Sequence, residues 1–137
     1  MNLLQPVEPA ESACPPILRG DALKGYEKYL MDESRRTGHA AALAFPRNDA
    51  EVCGAVRAAG REGLAVTVSG ARTGIAAGAV PEGGMVLSLE RLNRICGVRK
   101  GENGEFYVLC QAGVSLADLQ RAVALGKFAD AATWDAA

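Results

Sequence analysis

The stretch AALAFPRNDAEVCGAVRAAGREGLAVTV, residues 41 to 68, decides the fold. Its apolar opening, Ala41 to Phe45, reads as a strand that Pro46 stops, since proline has no N–H for a ladder and steers the residue before it. Asn48, Asp49, Ala50 and Glu51 form a capping-box pattern in which Asn48 caps a helix and Glu51 reaches back. The helix they open carries Val52, Cys53, Val56 and Ala59 on one face, and Gly60 or Gly63 ends it. Leu64 to Val68 is a second β-prone run. Strand, helix and strand in this order predict a βαβ unit whose two strands are parallel.

Upstream, residues 1 to about 20 are rich in Pro and Glu and read as an irregular lead-in to a single domain over 21–137. Asp21 is placed to cap a short helix with Leu23, Tyr26 and Leu30 on one face. The polar run Asp32 to Arg36 reads as an exposed or ligand-facing loop. Downstream, Met85 to Leu89 is a third strand, and Ile95 to Val98 and Phe106 to Leu109 flank a charged turn as a hairpin. Ser115 caps a last helix with Asp118 at the third position, an apolar face of Leu116, Leu119 and Val123, and Gly126 as its stop. Beyond it, KFADAATWDAA offers no closing strand. The expected fold is mixed α+β: a small mixed sheet with a βαβ unit and additional strands, flanked by helices.

Composition narrows the function. Fifteen basic and sixteen acidic residues among 137 leave a formal charge of −1, and no basic run is long enough to track phosphates along a nucleic acid. No leader pattern and no apolar run of membrane-spanning length is visible, so the expected location is cytoplasmic. Cys14, Cys53, Cys96 and Cys110 are scattered without metal-ligand spacing and read as reduced, the last three as small core residues. The single histidine, His39, reads as a surface residue, and no metal site is expected.

Where the second strand of the βαβ unit stops, VSGARTGIAAGAVP begins, residues 68 to 81, with glycines at 70, 74 and 78. A strand that runs into such a turn leaves backbone N–H groups open in an anion-binding concavity. The spacing is neither that of a Walker loop nor that of the dinucleotide fingerprint. On the residues alone, a plain structural turn and an anion cradle both stand.

GARTGIAAGAVP, followed by GGMVLSLERLNRI and VLCQAGVSLADLQRAV, resembles the N-terminal part of the FAD-binding domain of the vanillyl-alcohol oxidase and p-cresol methylhydroxylase superfamily. The similarity spans roughly residues 26 to 125 and is greatest to the FAD-linked subunit of glycolate oxidase and to D-lactate dehydrogenases. It includes the upstream Tyr29-Leu-Met-Asp32-Glu33-Ser34, which puts Asp32, Glu33 and Ser34 in a loop near the cofactor. The resemblance implies that the amides of Gly70, Ala71, Arg72, Thr73 and Gly74 face the FAD pyrophosphate. Gly78, Ala79 and Val80 would line the path to the flavin and ribityl chain, and Gln111 to Gly113 would lie close by. Ala71 and Arg72 depart from the family's triple glycine, with Arg72 either contacting phosphate or pointing to solvent. No histidine occurs between 70 and 78, so the implied FAD is noncovalent.

In that family the flavin oxidises a 2-hydroxy acid, and the continuation that completes the flavin pocket is not found in this chain. The expectation is therefore a truncated FAD-binding domain, itself not catalytic, with weak or absent FAD binding and no catalytic residue of its own. Two other readings stay open: a non-redox nucleotide or anion module, and a half-domain that completes its core by self-association.

Overall fold

A computed structural model describes residues 13–126. The chain divides into two compact units, residues 1–91 and 92–137. In the first, β2 (Ala42–Ala44) leads to α1 (Asp49–Arg61) and on to β3 (Val66–Ser69), with β4 (Met85–Ser88) following a long loop. β1 (Ile17–Arg19) precedes them, and the sheet order is β1-β2-β4-β3. Strands β2, β4 and β3 are parallel, with Ala42 and Val66 both opposite Met85, and β1 is antiparallel to β2. The two strands of the βαβ unit are thus parallel, as their sequence predicts, and β4 fills the place between them.

Alternation sorts the side chains of these strands onto two faces. Ala42, Ala44, Met85 and Leu87 meet Ala55 and Ala59 of α1, whereas Leu43, Phe45 and Val86 meet Tyr29. Alanines on both partners let the helix lie close to the sheet. On the opposite face, each fully buried Leu or Val contributes roughly 1.5–3 kcal/mol.

The caps of α1 follow from its end residues. Asn48 Oδ1 accepts from Glu51 N at 2.9 Å, but the Glu51 carboxylate accepts from Arg47 N at 2.8 Å, one residue beyond the cap. At the other end Gly63, with φ +66°, is the terminator rather than Gly60. Gly63 N donates to Gly60 O and Leu64 N to Ala59 O, the paired bonds of a Schellman motif. Val56 lies outside the packed face, 45 % exposed, and Ala55 takes its place.

Other expectations are corrected. The supposed lead-in contains β1, which reads poorly because it is only three residues long. The first helix is two separate 3-10 turns, Gly20–Leu23 and Glu27–Leu30, because Gly25 at φ +90° breaks any continuous α-helix and Asp21 makes no side-chain cap. Cys53, Cys96 and Cys110 are only partly buried, and all four cysteines are free thiols.

The second unit holds the hairpin β5 (Ile95–Lys100) and β6 (Phe106–Cys110), with a register shift at Cys96. Its helix α2 (Leu116–Leu125) is capped by Ser115, whose Oγ accepts from Asp118 N at 3.1 Å, and stops at Gly126 in the left-handed region. Leu116, Val123 and Leu125 are exposed. The expectation about a closing strand in KFADAATWDAA falls outside the described residues.

Candidate functional site

The glycine loop leaves the carboxyl end of β3 and returns at the start of β4. Its first turn is anchored by Arg72, whose φ of +57° lies in the left-handed region. The Arg72 guanidinium turns inward: Nη1 donates to Gly70 O at 3.2 Å and approaches Ser69 Oγ at 3.5 Å, while the carbon stacks 4.6 Å from the Tyr29 ring centroid. The side chain is half-buried and does not simply point to solvent. A cation over an aromatic face contributes roughly 0.5–2 kcal/mol, and it fixes the turn from below.

Tyr29 is the hub of this anchor, and sequence reasoning missed it. An α-helical reading puts Leu23, Tyr26 and Leu30 inward, but in the tighter 3-10 turn the buried ring is Tyr29. Its Oη donates to Glu90 Oε2 at 2.6 Å, and the ring packs edge-on against Phe45 at 5.1 Å. Burial, with the Glu90 carboxylate beside it, raises the phenol well above its ordinary range.

A raised acid makes stability fall at high pH. Above about pH 10 the unfolded tyrosine gives up its proton while the folded one keeps it, so this stabilisation, complete below that pH, is lost as pH rises. Tyr29→Phe is expected to flatten this alkaline loss and to cost about 1 kcal/mol at neutral pH for the missing hydrogen bond. Urea melts from about pH 7 to 11 measure both; parallel alkaline slopes in the two proteins would exclude Tyr29 as the source.

The segment after Tyr29 closes on itself through a Met31–Thr37 bridge and a Gly38 N–Leu30 O bond of 2.7 Å. Within it Asp32 is buried, 7 % exposed, which corrects the picture of a uniformly exposed or ligand-facing run. Ser34, through its hydroxyl and amide, and the Ala79 amide hold the Asp32 carboxyl below the usual range. Ser34 N donates to Oδ1 at 2.9 Å and Ala79 N to Oδ2 at 3.4 Å. Glu33 N also donates to Arg72 O at 3.2 Å.

The residues expected to hold cofactor therefore divide. None of the amides from Gly70 to Gly78 donates a hydrogen bond among the described residues, so those of Gly70, Ala71, Arg72, Thr73, Gly74 and Gly78 are open. The Ala79 amide is occupied by Asp32, and Val80 N donates to Ala77 O at 3.1 Å. Ala71, Thr73, Gly74 and Gly78 are exposed, and Ala71 has no left-handed φ.

None of the three loop glycines has a left-handed φ, and a Cβ added to Gly70, Gly74 or Gly78 would meet no atom within 4 Å, a freedom they share with Gly60 of α1. The fold itself makes no use of their missing side chains. Open donors beside positions without a Cβ fit an anionic group that approaches the backbone closely, which is how a diphosphate is held.

His39 is exposed, as its sequence context predicts, and lies with Arg36, Ala77 and Val80 around a surface pocket of about 360 Å³. In the second unit, Gln111 Oε1 accepts from Arg94 N at 3.0 Å, and Gly113 N donates to Leu92 O at 2.8 Å. No grouping of His, Cys, Asp and Glu able to hold a metal ion occurs among the described residues. No described helix is long and apolar enough to cross a membrane.

Comparison with known proteins gives this geometry its class. A family model described as an FAD binding domain matches residues 40–135, and the chain belongs to that family. FAD is the cofactor of this family, and the residues present fit its diphosphate. A D-lactate dehydrogenase of Anaerostipes hadrus is 39% identical over 106 residues, covering 75% of this chain and 21% of that protein. An uncharacterized FAD-linked oxidoreductase of Mycobacterium tuberculosis is 33% identical over 114 residues, 79% of this chain and 23% of that protein. A D-2-hydroxyglutarate dehydrogenase of Xanthomonas citri pv. viticola is 47% identical over 70 residues, 50% of this chain and 15% of its own length.

Among solved structures, 6-hydroxy-D-nicotine oxidase from Arthrobacter nicotinovorans superposes with a TM-score of 0.64 at 21% identity, over 89% of this chain and 26% of that one. CrmK, a flavoenzyme involved in caerulomycin biosynthesis, gives 0.60 at 20% identity, over 82% and 22%. These establish the mixed fold as that of the family. The chain spans about a quarter or less of the length of each of these proteins.

Proposed function

We propose that this chain contributes the pyrophosphate loop of an FAD-dependent oxidoreductase acting on a 2-hydroxy acid. The observation that carries the reading is the run of open amides from Gly70 to Gly78, set among glycines the fold does not need. The amides of Gly70, Ala71, Arg72, Thr73 and Gly74 would hold the diphosphate, and Gly78, Ala79 and Val80 would line the way to the ribityl chain and flavin. Ala79 would do so by shape, its amide being held by Asp32. No histidine lies between 70 and 78, which supports noncovalent attachment.

When bound, FAD supplies hydride acceptance, and the protein supplies binding and orientation. The names of the D-lactate and D-2-hydroxyglutarate dehydrogenases support a 2-hydroxy acid as the substrate class. We assign no catalytic residue to this chain and propose that its 137 residues alone do not turn over substrate. Free thiols at all four cysteines support a reducing, cytoplasmic setting.

Titration of the 137-residue chain with FAD, ADP and riboflavin, followed by amide chemical shifts, tests this reading. FAD and ADP are expected to move the Gly70–Gly78 amides weakly, and addition of D-lactate to the FAD-loaded sample to leave the flavin oxidised. No shift in these amides at saturating FAD overturns the loop assignment; D-lactate-driven bleaching of the flavin overturns the claim of inactivity. Binding of ADP with complete indifference to the flavin moiety would favour a non-redox nucleotide module.

A second reading rests on the exposed Phe106, Leu116, Val123 and Leu125 of the second unit, which suit self-association of the chain. Sedimentation distinguishes it: a monomer at all concentrations removes it.

A further inference from the structure

The open amides from Thr73 to Gly78 lie on an arc, and both ends of that arc are tied to one short segment. At one end Glu33 N donates to Arg72 O at 3.2 Å; at the other Asp32 Oδ2 accepts from Ala79 N at 3.4 Å. Between these ties Thr73 to Ala76 and Gly78 are exposed. The segment supplying both ties is itself closed by the Met31–Thr37 bridge and by Arg35 N donating to Asp32 O at 3.1 Å. It also holds Arg35 in the left-handed region at φ +64°, which a non-glycine residue adopts only when its surroundings impose it.

Asp32 is the part of this arrangement that needs explaining. A buried carboxylate ordinarily pairs with a cation, because losing water is costly for a charge. No described lysine or arginine pairs with Asp32; its oxygens accept from the Ser34 amide and, across the fold, from the Ala79 amide of the glycine loop, with the Ser34 hydroxyl also beside them. Placed behind a loop that receives a diphosphate, its charge is of the wrong sign for binding. What it provides is geometry: an ionised carboxylate accepts at both oxygens and donates at neither, so it holds two N–H groups at once.

Resting on the loop assignment above, we infer that Asp32 is a positioning residue for the cofactor loop, fixing the Ala79 end so that the arc from Thr73 to Gly78 is shaped before FAD arrives. An arc held at both ends loses less freedom on binding than one that is loose, so the gain appears as affinity. Asp32 touches no part of the cofactor in this role. It also takes the Ala79 amide out of the set that FAD can use, so the diphosphate is directed to the earlier amides.

Asp32→Ala and Asp32→Asn in the full 137-residue chain test the inference, with FAD affinity read from loop amide shifts and hydrogen exchange of Ala79 read without ligand. Asp32→Ala is expected to speed Ala79 exchange at least tenfold and to weaken FAD binding by about tenfold, with the strand amides of β2 and β4 unchanged. Asp32→Asn, which keeps a single acceptor, is expected to fall between alanine and the native residue. Native exchange at Ala79 in Asp32→Ala, equal FAD affinity in both proteins, or tighter FAD binding by Asp32→Asn would each overturn the inference. Should Asp32→Ala not fold, Asp32→Asn alone carries the same criteria. Failure of the native chain to bind FAD sinks the loop assignment instead, and it is read in a different sample.

Discussion

Gly84→Ala is expected to unfold the first unit at temperatures where the native chain is folded. Gly84 stands where three strands begin: its carbonyl accepts from Ala41 N and Ala42 N, and the next amide, Met85 N, donates to Ala65 O at 2.8 Å. Its φ is +66°, and a Cβ built there collides with the Ala65 carbonyl, a backbone atom that cannot move aside without parting β3 from β4. The left-handed backbone costs roughly 1–2 kcal/mol for a residue with a Cβ, and overpacking typically adds another 1–3 kcal/mol. Against a domain stability of about 5–15 kcal/mol, such a sum is a large fraction. At roughly 4–8 °C per kcal/mol for a unit of this size, the melting temperature should fall by some 10–30 °C.

Gly63→Ala separates the two contributions. Gly63 has the same φ of +66°, but a Cβ there meets nothing within 4 Å. Its substitution should therefore carry only the backbone cost, roughly 1–2 kcal/mol. Thermal unfolding by circular dichroism compares them directly; equal losses at the two positions would mean that the β3–β4 approach is looser than the structure shows.

Features fixed by neighbouring residues could be read from the chain in advance, and those fixed by distant contacts could not. The strand, helix and strand of residues 41 to 68 were legible because their evidence is local: an apolar run closed by Pro46, a cap at Asn48, and a glycine stop at 60 or 63, between which the structure chooses 63. The close approach at Gly84 was not legible, since it joins positions 65 and 84 across a loop that the intervening residues do not describe. The same holds for Gly38, whose missing Cβ makes room for the Pro81 carbonyl. β1 went unseen because three residues are too few for alternation to show, and its partner strand is what makes it a strand.

The candidate site was legible by a different route. The order of the glycine loop and the motifs around it carried the resemblance, while the residues that hold the loop did not announce themselves. Tyr29 is buried because the 3-10 turn rotates it inward, and Asp32 looks, in sequence, like one more charge in a solvated run. The inward turn of the Arg72 guanidinium depends on an aromatic ring 43 positions earlier. Left-handed backbone falls between 70 and 78 at Arg72 and Ala77, not at Gly70, Gly74 or Gly78, which composition alone suggests in reverse.

That reversal gives the second large expected effect. A Gly70→Ala, Gly74→Ala double variant should fold as well as the native chain, since neither position has a left-handed φ and neither Cβ meets an atom within 4 Å. Removing two glycines restricts the unfolded chain, so stability should hold or rise by up to about 0.4–1 kcal/mol per site. FAD binding should nevertheless fall by a factor of a hundred or more, because a methyl at each position occupies the space through which the diphosphate reaches the amides, and losing close approach at two hydrogen-bonded anion contacts costs about 3 kcal/mol. The measurement is paired: a urea melt for stability and loop amide shifts for FAD. Loss of stability with binding intact would make these glycines structural and return the loop to a plain turn. Stability retained with binding lost would show that the absent side chains at 70 and 74 serve the ligand, the opposite of position 84, where the absent side chain serves the chain itself.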